Sequence, residues 1–298
     1  MIERVGSVFV GLLEAVPNFV SAVTHPAAWL NWSEQSALIN FIYYGASSEL
    51  LSFLTLLFLL VLAVGVWRRN FLWSVVRGLE FTGNWVGRVA AWSGLVMVLQ
   101  QVMIVFLQRI FRVSEITIGP LGYAVSKDLS WFGEELKLYN AIVVCMCCAY
   151  TFIQGGHVRV DLFYANARYR TKRIIDIFGS LCFMLPVMLI IWLYGWFFLW
   201  RHLVTPKVAA TDTLELLQRK SRLLKWNVET IGFSPSGFDG YFLFKVLLVA
   251  FAGMMILQAV AFFYRSLLEL LEGPESENRY LDRDVLTDIT GQPQAPAN

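Results

Sequence analysis

Charge is what this sequence has least of. Only 15% of its 298 residues are Asp, Glu, Lys or Arg, against about 25% in an ordinary soluble domain, which excludes a soluble enzyme. The formal balance is +2, and there is no Lys/Arg-rich aromatic platform, so nucleic acid is excluded as a partner. Histidine is scarcer still. None of His25, His157 and His202 lies in the middle of an apolar run, so a bis-histidine haem between membrane helices lacks ligands. The four cysteines, Cys145, Cys147, Cys148 and Cys182, all fall inside apolar runs. With no His or second Cys pair at ligand spacing, they read as small residues packing against a neighbouring helix. Phosphate-loop, G-x-S-x-G and H-E-x-x-H motifs are absent. The expectation is no cofactor, no metal, no catalytic residue and no enzyme activity.

What is abundant is grease: 57% of the residues are apolar and the mean hydropathy is +0.58. It is concentrated in five uncharged runs, Leu50–Trp67, Val89–Gln108, Leu138–Gly156, Ile177–Trp200 and Val246–Tyr264. Roughly 20 apolar residues cross the ~30 Å hydrocarbon layer as a helix, whereas a membrane barrel would alternate over ~10-residue strands. The fold class expected is all-α: a polytopic membrane helix bundle of five transmembrane helices plus interfacial amphipathic helices. Trp67, Trp92, Trp196, Trp200 and Tyr264 lie towards the run ends, the headgroup level that amphipathic rings favour. Pro186 predicts a kink in the fourth run. Val5–Val23, interrupted by Glu14 and Pro17, reads as an interfacial helix rather than a sixth span.

The connections carry the charge. Two compact basic loops are expected on the cytoplasmic side, Trp67–Arg88 and His157–Arg173, because short loops near span ends weigh most in setting orientation. Residues Gly119–Leu136, with Leu121, Val125, Leu129 and Phe132 near helical spacing, predict a short interfacial helix. A second is expected beyond Arg201, capped by Asp212 with Glu215 three residues on. Its apolar stripe is Leu214, Leu217, Leu224, Val228 and Ile231, and it lies on headgroups or offers a docking surface. Glu49 and Asp176 sit at span edges, within reach of water. The apolar runs hold no Asp, Glu, Lys, Arg or His. Such residues usually mark ion paths, and no two similar halves of an inverted-repeat transporter are visible. The chain reads as a membrane-embedded partner, not a conducting unit.

One region is distinctive: W-x-x-E-E at Trp131, Glu134 and Glu135, then a span, then Gly156-His157-Val158-Arg159-Val160-Asp161, then a basic run through Arg168, Arg170 and Arg173. It resembles the small membrane (Q, DctQ-like) subunit of tripartite ATP-independent periplasmic (TRAP) transporters, over roughly residues 86–271. Three parts are expected, and the resemblance covers the second. Residues 1–85 are an N-terminal extension with the interfacial helix and one extra span. Residues 86–271 form a four-span domain, and residues 272–298 a polar, acidic, flexible tail. It implies a scaffold in the bacterial inner membrane, in an ion-driven importer of organic acids. Its partners would be the large membrane (M) subunit, the periplasmic substrate-binding (P) subunit and anionic lipids. Trp131 would anchor the interfacial helix. Glu134 and Glu135 would be solvated or would pair with the partner or a nearby Arg. His157 and Arg159 would set positive charge at a helix C-terminus, with Asp161 tied to Arg159 or to the Arg168–Arg173 cluster. This loop serves either topology or the large subunit. A quinone-binding anchor of an oxidoreductase and a standalone structural or signalling membrane protein are the rival readings.

Overall fold

The computed structural model describes residues 24–118, 125–155, 167–227, 240–277 and 279–282, together with Pro17, Val20, Ser21, Tyr164, Gly237 and Phe238. The Val5–Val23 interfacial helix, Val228, Ile231 and most of the tail lie outside these residues. The described chain is an all-α bundle. In order come α1 (Ala27–Leu30), α2 (Gln35–Tyr44), α3 (Ser48–Trp67) and α4 (Arg69–Arg109). They are followed by strands β1 (Glu115–Ile118) and β2 (Val125–Asp128), α5 (Leu129–Ile153) and α6 (Tyr169–Leu203). Strand β3 (Val204–Thr205), α7 (Leu214–Ser221), β4 (Lys225–Trp226) and α8 (Tyr241–Glu272) complete it. Five of these, α3, α4, α5, α6 and α8, are long and apolar enough to cross a membrane.

Helices α3, α5 and α8 run one way, α4 and α6 the other. The N-terminal turns of α5 and α8 meet through Tyr241 and Glu134, while the start of α6 reaches the end of α8 through Arg173 and Glu269. We call the first the hairpin end and the second the strap end. Helix α8 is central: 39% of its most apolar window is buried, against 6% in α3 and 11% in α4, α5 and α6. Lipid tails are as apolar as leucine, so membrane helices associate through close packing of small residues and through polar contacts. The buried face of α8 fits that rule, with Ala252, Ala259 and Ala261 fully covered beside Gln258 and Ser266. Tyr264 is 2% exposed; its ring stacks on Phe58 and its hydroxyl donates to the Phe58 carbonyl at 2.8 Å.

Four expectations are corrected. Trp67–Arg88 is not a loop: a single break at Arg68 separates α3 from α4, which runs unbroken for 41 residues. Leu72, Trp73, Val76, Glu80, Gly83, Asn84 and Gly87 are buried along one helical stripe, so the charged residues between them sit on the outer face of an amphipathic helix. At 1.5 Å per residue α4 is about 60 Å long, twice the hydrocarbon layer, and it carries across the boundary expected at residue 85. The Gly119–Leu136 helix is likewise replaced. Glu115–Ile118 pairs antiparallel with Val125–Asp128, Asp128 caps α5 by accepting from Ser130 N at 3.0 Å, and the helix begins only at Leu129.

In the Arg201 connection the cap of α7 is Thr213, which accepts from Leu216 N. Asp212 instead accepts from Ala209 N and from Lys220 Nζ at 2.7 Å. The helix stops at Ser221, and Lys225–Trp226 turns back to pair with Val204–Thr205. Leu217 and Leu224 of the stripe are buried as expected, in a hairpin-end cap shared with α2 and the last turns of α6. There Trp196 Nε1 donates to the Ile42 carbonyl at 2.8 Å and Gln35 Nε2 to the Leu224 carbonyl at 3.0 Å. Lastly, Asp176 is not within reach of water but buried. In α6 a π-helical turn at Ser180–Met184 immediately precedes Pro186. Proline has no N–H and its ring crowds the carbonyl four residues back, and the widened turn relieves both.

Candidate functional site

The W-x-x-E-E residues lie at the hairpin end, on the first turns of α5, and they knit the bundle together. Glu134 accepts from Tyr241 Oη of α8 at 2.5 Å and from Lys137 at 2.7 Å. Glu135 accepts from Gln100 Nε2 of α4 at 2.8 Å and from Tyr139 Oη at 2.9 Å. The two carboxylates therefore hold α5 to α8 and α4, each on its own side. Trp131 packs against Phe132 and Phe238, with Lys127 Nζ 5.4 Å from its ring centroid, a cation–π distance. Replacing Tyr241 with Phe deletes one charge-assisted bond, worth about 1.5–3 kcal/mol. A loss of that size is expected in denaturant titration, with the fold retained.

The basic run divides. Arg168 precedes the first turn of α6 and, like Arg170, is exposed, whereas Arg173 is 9% exposed and faces inward. His157, Arg159 and Asp161 lie outside the described residues. The span before them ends as its glycines predict: α5 stops at Ile153, and Gly155 takes φ 75, a left-handed turn that glycine adopts without strain.

Arg173 belongs to the feature that sequence reading missed, a chain of alternating charges at the strap end. Glu80 of α4 meets Arg265 of α8 as a fork, Nε to Oε1 and Nη2 to Oε2 both at 2.6 Å. Arg265 Nη1 lies 3.7 Å from Glu269 Oε1 one turn on, and Glu269 Oε2 lies 2.9 Å from Arg173 Nε. Arg173 then reaches Asp176 at 3.4 Å, and Tyr164 Oη donates to the same carboxylate at 2.8 Å. Glu80, Asp176, Glu269, Arg173 and Arg265 are all at most 9% exposed. Burial of charge is tolerated only with partners, and here each has at least one. The signals were present in the sequence: Arg265/Glu269 at i,i+4, Arg173/Asp176 at i,i+3, and Glu80 in phase with Trp73, Val76 and Gly87. They went unread because Arg265 and Asp176 sit one residue outside their charge-free runs.

The segment after α8 is not a free tail over its described residues, 273–277 and 279–282. Gly273 at φ 92 turns the chain, and Tyr169 Oη donates to the carbonyls of Glu269 and Gly273. Glu277 reaches Arg173 at 2.7 Å, and Arg265 Nη1 donates to the Arg279 carbonyl at 3.0 Å. Tyr280 takes φ 59 and packs on Trp73. The Asp282 carbonyl accepts from Asn84 of α4 and Gln154 of α5, each at 3.0 Å. This strap ties α4, α5, α6 and α8 together. Beneath it lies a cavity of about 60 Å³ whose lining includes Glu80, Gln258, Arg265, Ser266, Glu269 and Leu281.

Among the described residues, no three His, Cys, Asp or Glu side chains converge as metal ligands. No family model, no curated protein and no solved structure matches this chain.

Proposed function

We propose that the chain is the small membrane subunit of a TRAP-type transporter. In this reading it is a non-catalytic scaffold in the bacterial inner membrane, within an ion-driven importer of organic acids. A large membrane subunit supplies the transport path, and a periplasmic binding protein delivers the solute. Anionic headgroups meet the exposed Arg168 and Arg170. The observation that carries the reading is the placement of charge. The five apolar runs contain no Asp, Glu, Lys, Arg or His, and the buried charges at the strap end are engaged with one another. A self-sufficient secondary transporter places carboxylates or broken helices near the bilayer midplane; this chain places rigid ties at its two ends instead. The W-x-x-E-E and G-H-V-R-V-D residues add the resemblance to the small TRAP subunit.

The test is affinity purification of the tagged chain from its native membrane in mild detergent, followed by reconstitution. A larger polytopic protein is expected to co-purify, and vesicles holding the chain alone are expected not to accumulate carboxylates. Uptake by the chain alone, or a redox enzyme as its sole stable companion, would replace this reading.

A further inference from the structure

We infer that the outer face of α7 and the β3–β4 hairpin is a contact surface for anionic lipid headgroups of the bilayer that holds the chain. The surface belongs to the chain by itself and does not depend on membership of a transporter. The sequence pattern set Leu217 and Leu224 on a stripe that could lie on headgroups. Instead they turn inward, 1% and 5% exposed, against α2 and the end of α6. A different apolar set is left outside: Leu223 is 73% exposed, Trp226 52% and Leu216 43%. Leu216 and Leu223 stand seven residues apart, about two helical turns. Arg219 lies between them, on the side of α7 away from Leu217 and Leu224.

Charge gives the occupant its sign. Residues 201–227 hold six Lys or Arg against two acids, Asp212 and Glu215. Asp212 is engaged by Lys220 at 2.7 Å. The other five cations, Arg201, Lys207, Arg219, Arg222 and Lys225, are all exposed, and none of them enters an ion pair among the described residues. Glu34, next to the Gln35 contact with Leu224, adds one acid, and the described cap stays positive. Lys and Arg side chains lay their apolar stems on hydrocarbon and carry the charge out to the headgroups, which suits cations set among exposed leucines.

A second observation, independent of charge, sets the level of this face. Trp200 ends the charge-free run of α6, β3 begins at Val204, and Val204 pairs with Trp226. Trp226 therefore stands beside Trp200, their ring centroids 6.3 Å apart, and Trp32 lies 6.2 Å from Trp200 and 6.4 Å from Trp226. Tryptophans gathered at the end of a span mark the headgroup level. Trp32 and Trp226 remain exposed there, so their rings continue a layer that the bilayer already reaches. That continuity favours lipid over an acidic protein as the occupant. Apolar area and attraction to anionic lipid act together on an amphipathic element at this level.

The experiment follows hydrogen exchange of residues 214–227 by mass spectrometry, in the full wild-type chain held in lipid nanodiscs. The discs contain phosphatidylcholine alone or phosphatidylcholine mixed with phosphatidylglycerol. Exchange is expected to slow about fivefold or more in the anionic discs, the equivalent of one basic residue at an anionic surface. Added salt is expected to erase the difference. The double substitution Arg219→Glu with Arg222→Glu, at two exposed positions, is expected to abolish the slowing. Residues 252–261 of α8 are expected to exchange alike in every disc, which also shows that the variant is folded. Equal exchange of residues 214–227 in both discs overturns the inference, and so does slowing that the charge-reversed variant retains. Exchange that is fast in both discs but slowed in native membrane vesicles also overturns it, and assigns the face to an acidic protein.

Discussion

Arg265→Leu is expected to be among the most damaging single substitutions in the described chain, costing about 3–5 kcal/mol, the usual result of leaving a buried charge without its partner. The substitution removes the fork from Glu80 and the nearest α8 cation from Glu269, and it unties the strap at the Arg279 carbonyl. It also empties the face of Trp73, over which the guanidinium sits at 5.4 Å. The double substitution Glu80→Leu with Arg265→Leu is expected to recover at least half of that loss. A buried pair replaced by apolar groups of similar size is often neutral, whereas half a pair is not. Unfolding by titrated denaturing detergent, read by tryptophan fluorescence, measures both. Equal losses in the single and double variants would mean that the ion pairing is not what stabilises the strap end.

The second large effect is expected at the α4–α5 contact. Gly83 and Gly87 are spaced as a small-xxx-small pair, which lets membrane helices approach closely. A Cβ at Gly87 would overlap the Tyr150 side chain, and one at Gly83 would meet Gln258 and Ile153. The closeness also lets Cys147 Sγ approach the Gly87 carbonyl to 3.4 Å. Gly87→Ala is therefore expected to cost about 1–3 kcal/mol, the range for overpacking, and Gly87→Leu more. Gly78 lies on the same helix with nothing within 4 Å of its notional Cβ. There alanine is expected to stabilise, by up to about 1 kcal/mol from helix propensity. Two Gly→Ala changes on one helix should thus have opposite signs in the same unfolding assay.

These two sites show why parts of the fold were legible and others were not. The five spans were readable because hydrocarbon imposes a composition and a length, and both are properties of the chain alone. The Gly155 stop and the buried Leu217 and Leu224 were readable for a related reason, since they depend on local backbone preference and helical period. The basic stretch Arg69–Arg88 was misread because positive charge between apolar runs suits a loop and the outer face of a helix equally well. What separates them is the buried stripe from Leu72 to Gly87, which acquires meaning only when α5 and α8 lie against it. The hairpin before α5 was hidden for the opposite reason: its residues have helical spacing, but pairing with Glu115–Ile118 claims their backbone groups.

The scarcity of charge settled the class of molecule without any coordinates. A polypeptide with five charge-free apolar runs, each long enough to span, has to be a membrane bundle, because only helices satisfy their own backbone in lipid. Where the few charges go was decided by tertiary structure. Glu80 and Arg265 are separated by 185 positions in the chain, and Arg173 and Glu277 by 104. Ion pairing over such separations depends on which helix ends are brought to the same level, and that is set by the packing of α8 among its neighbours.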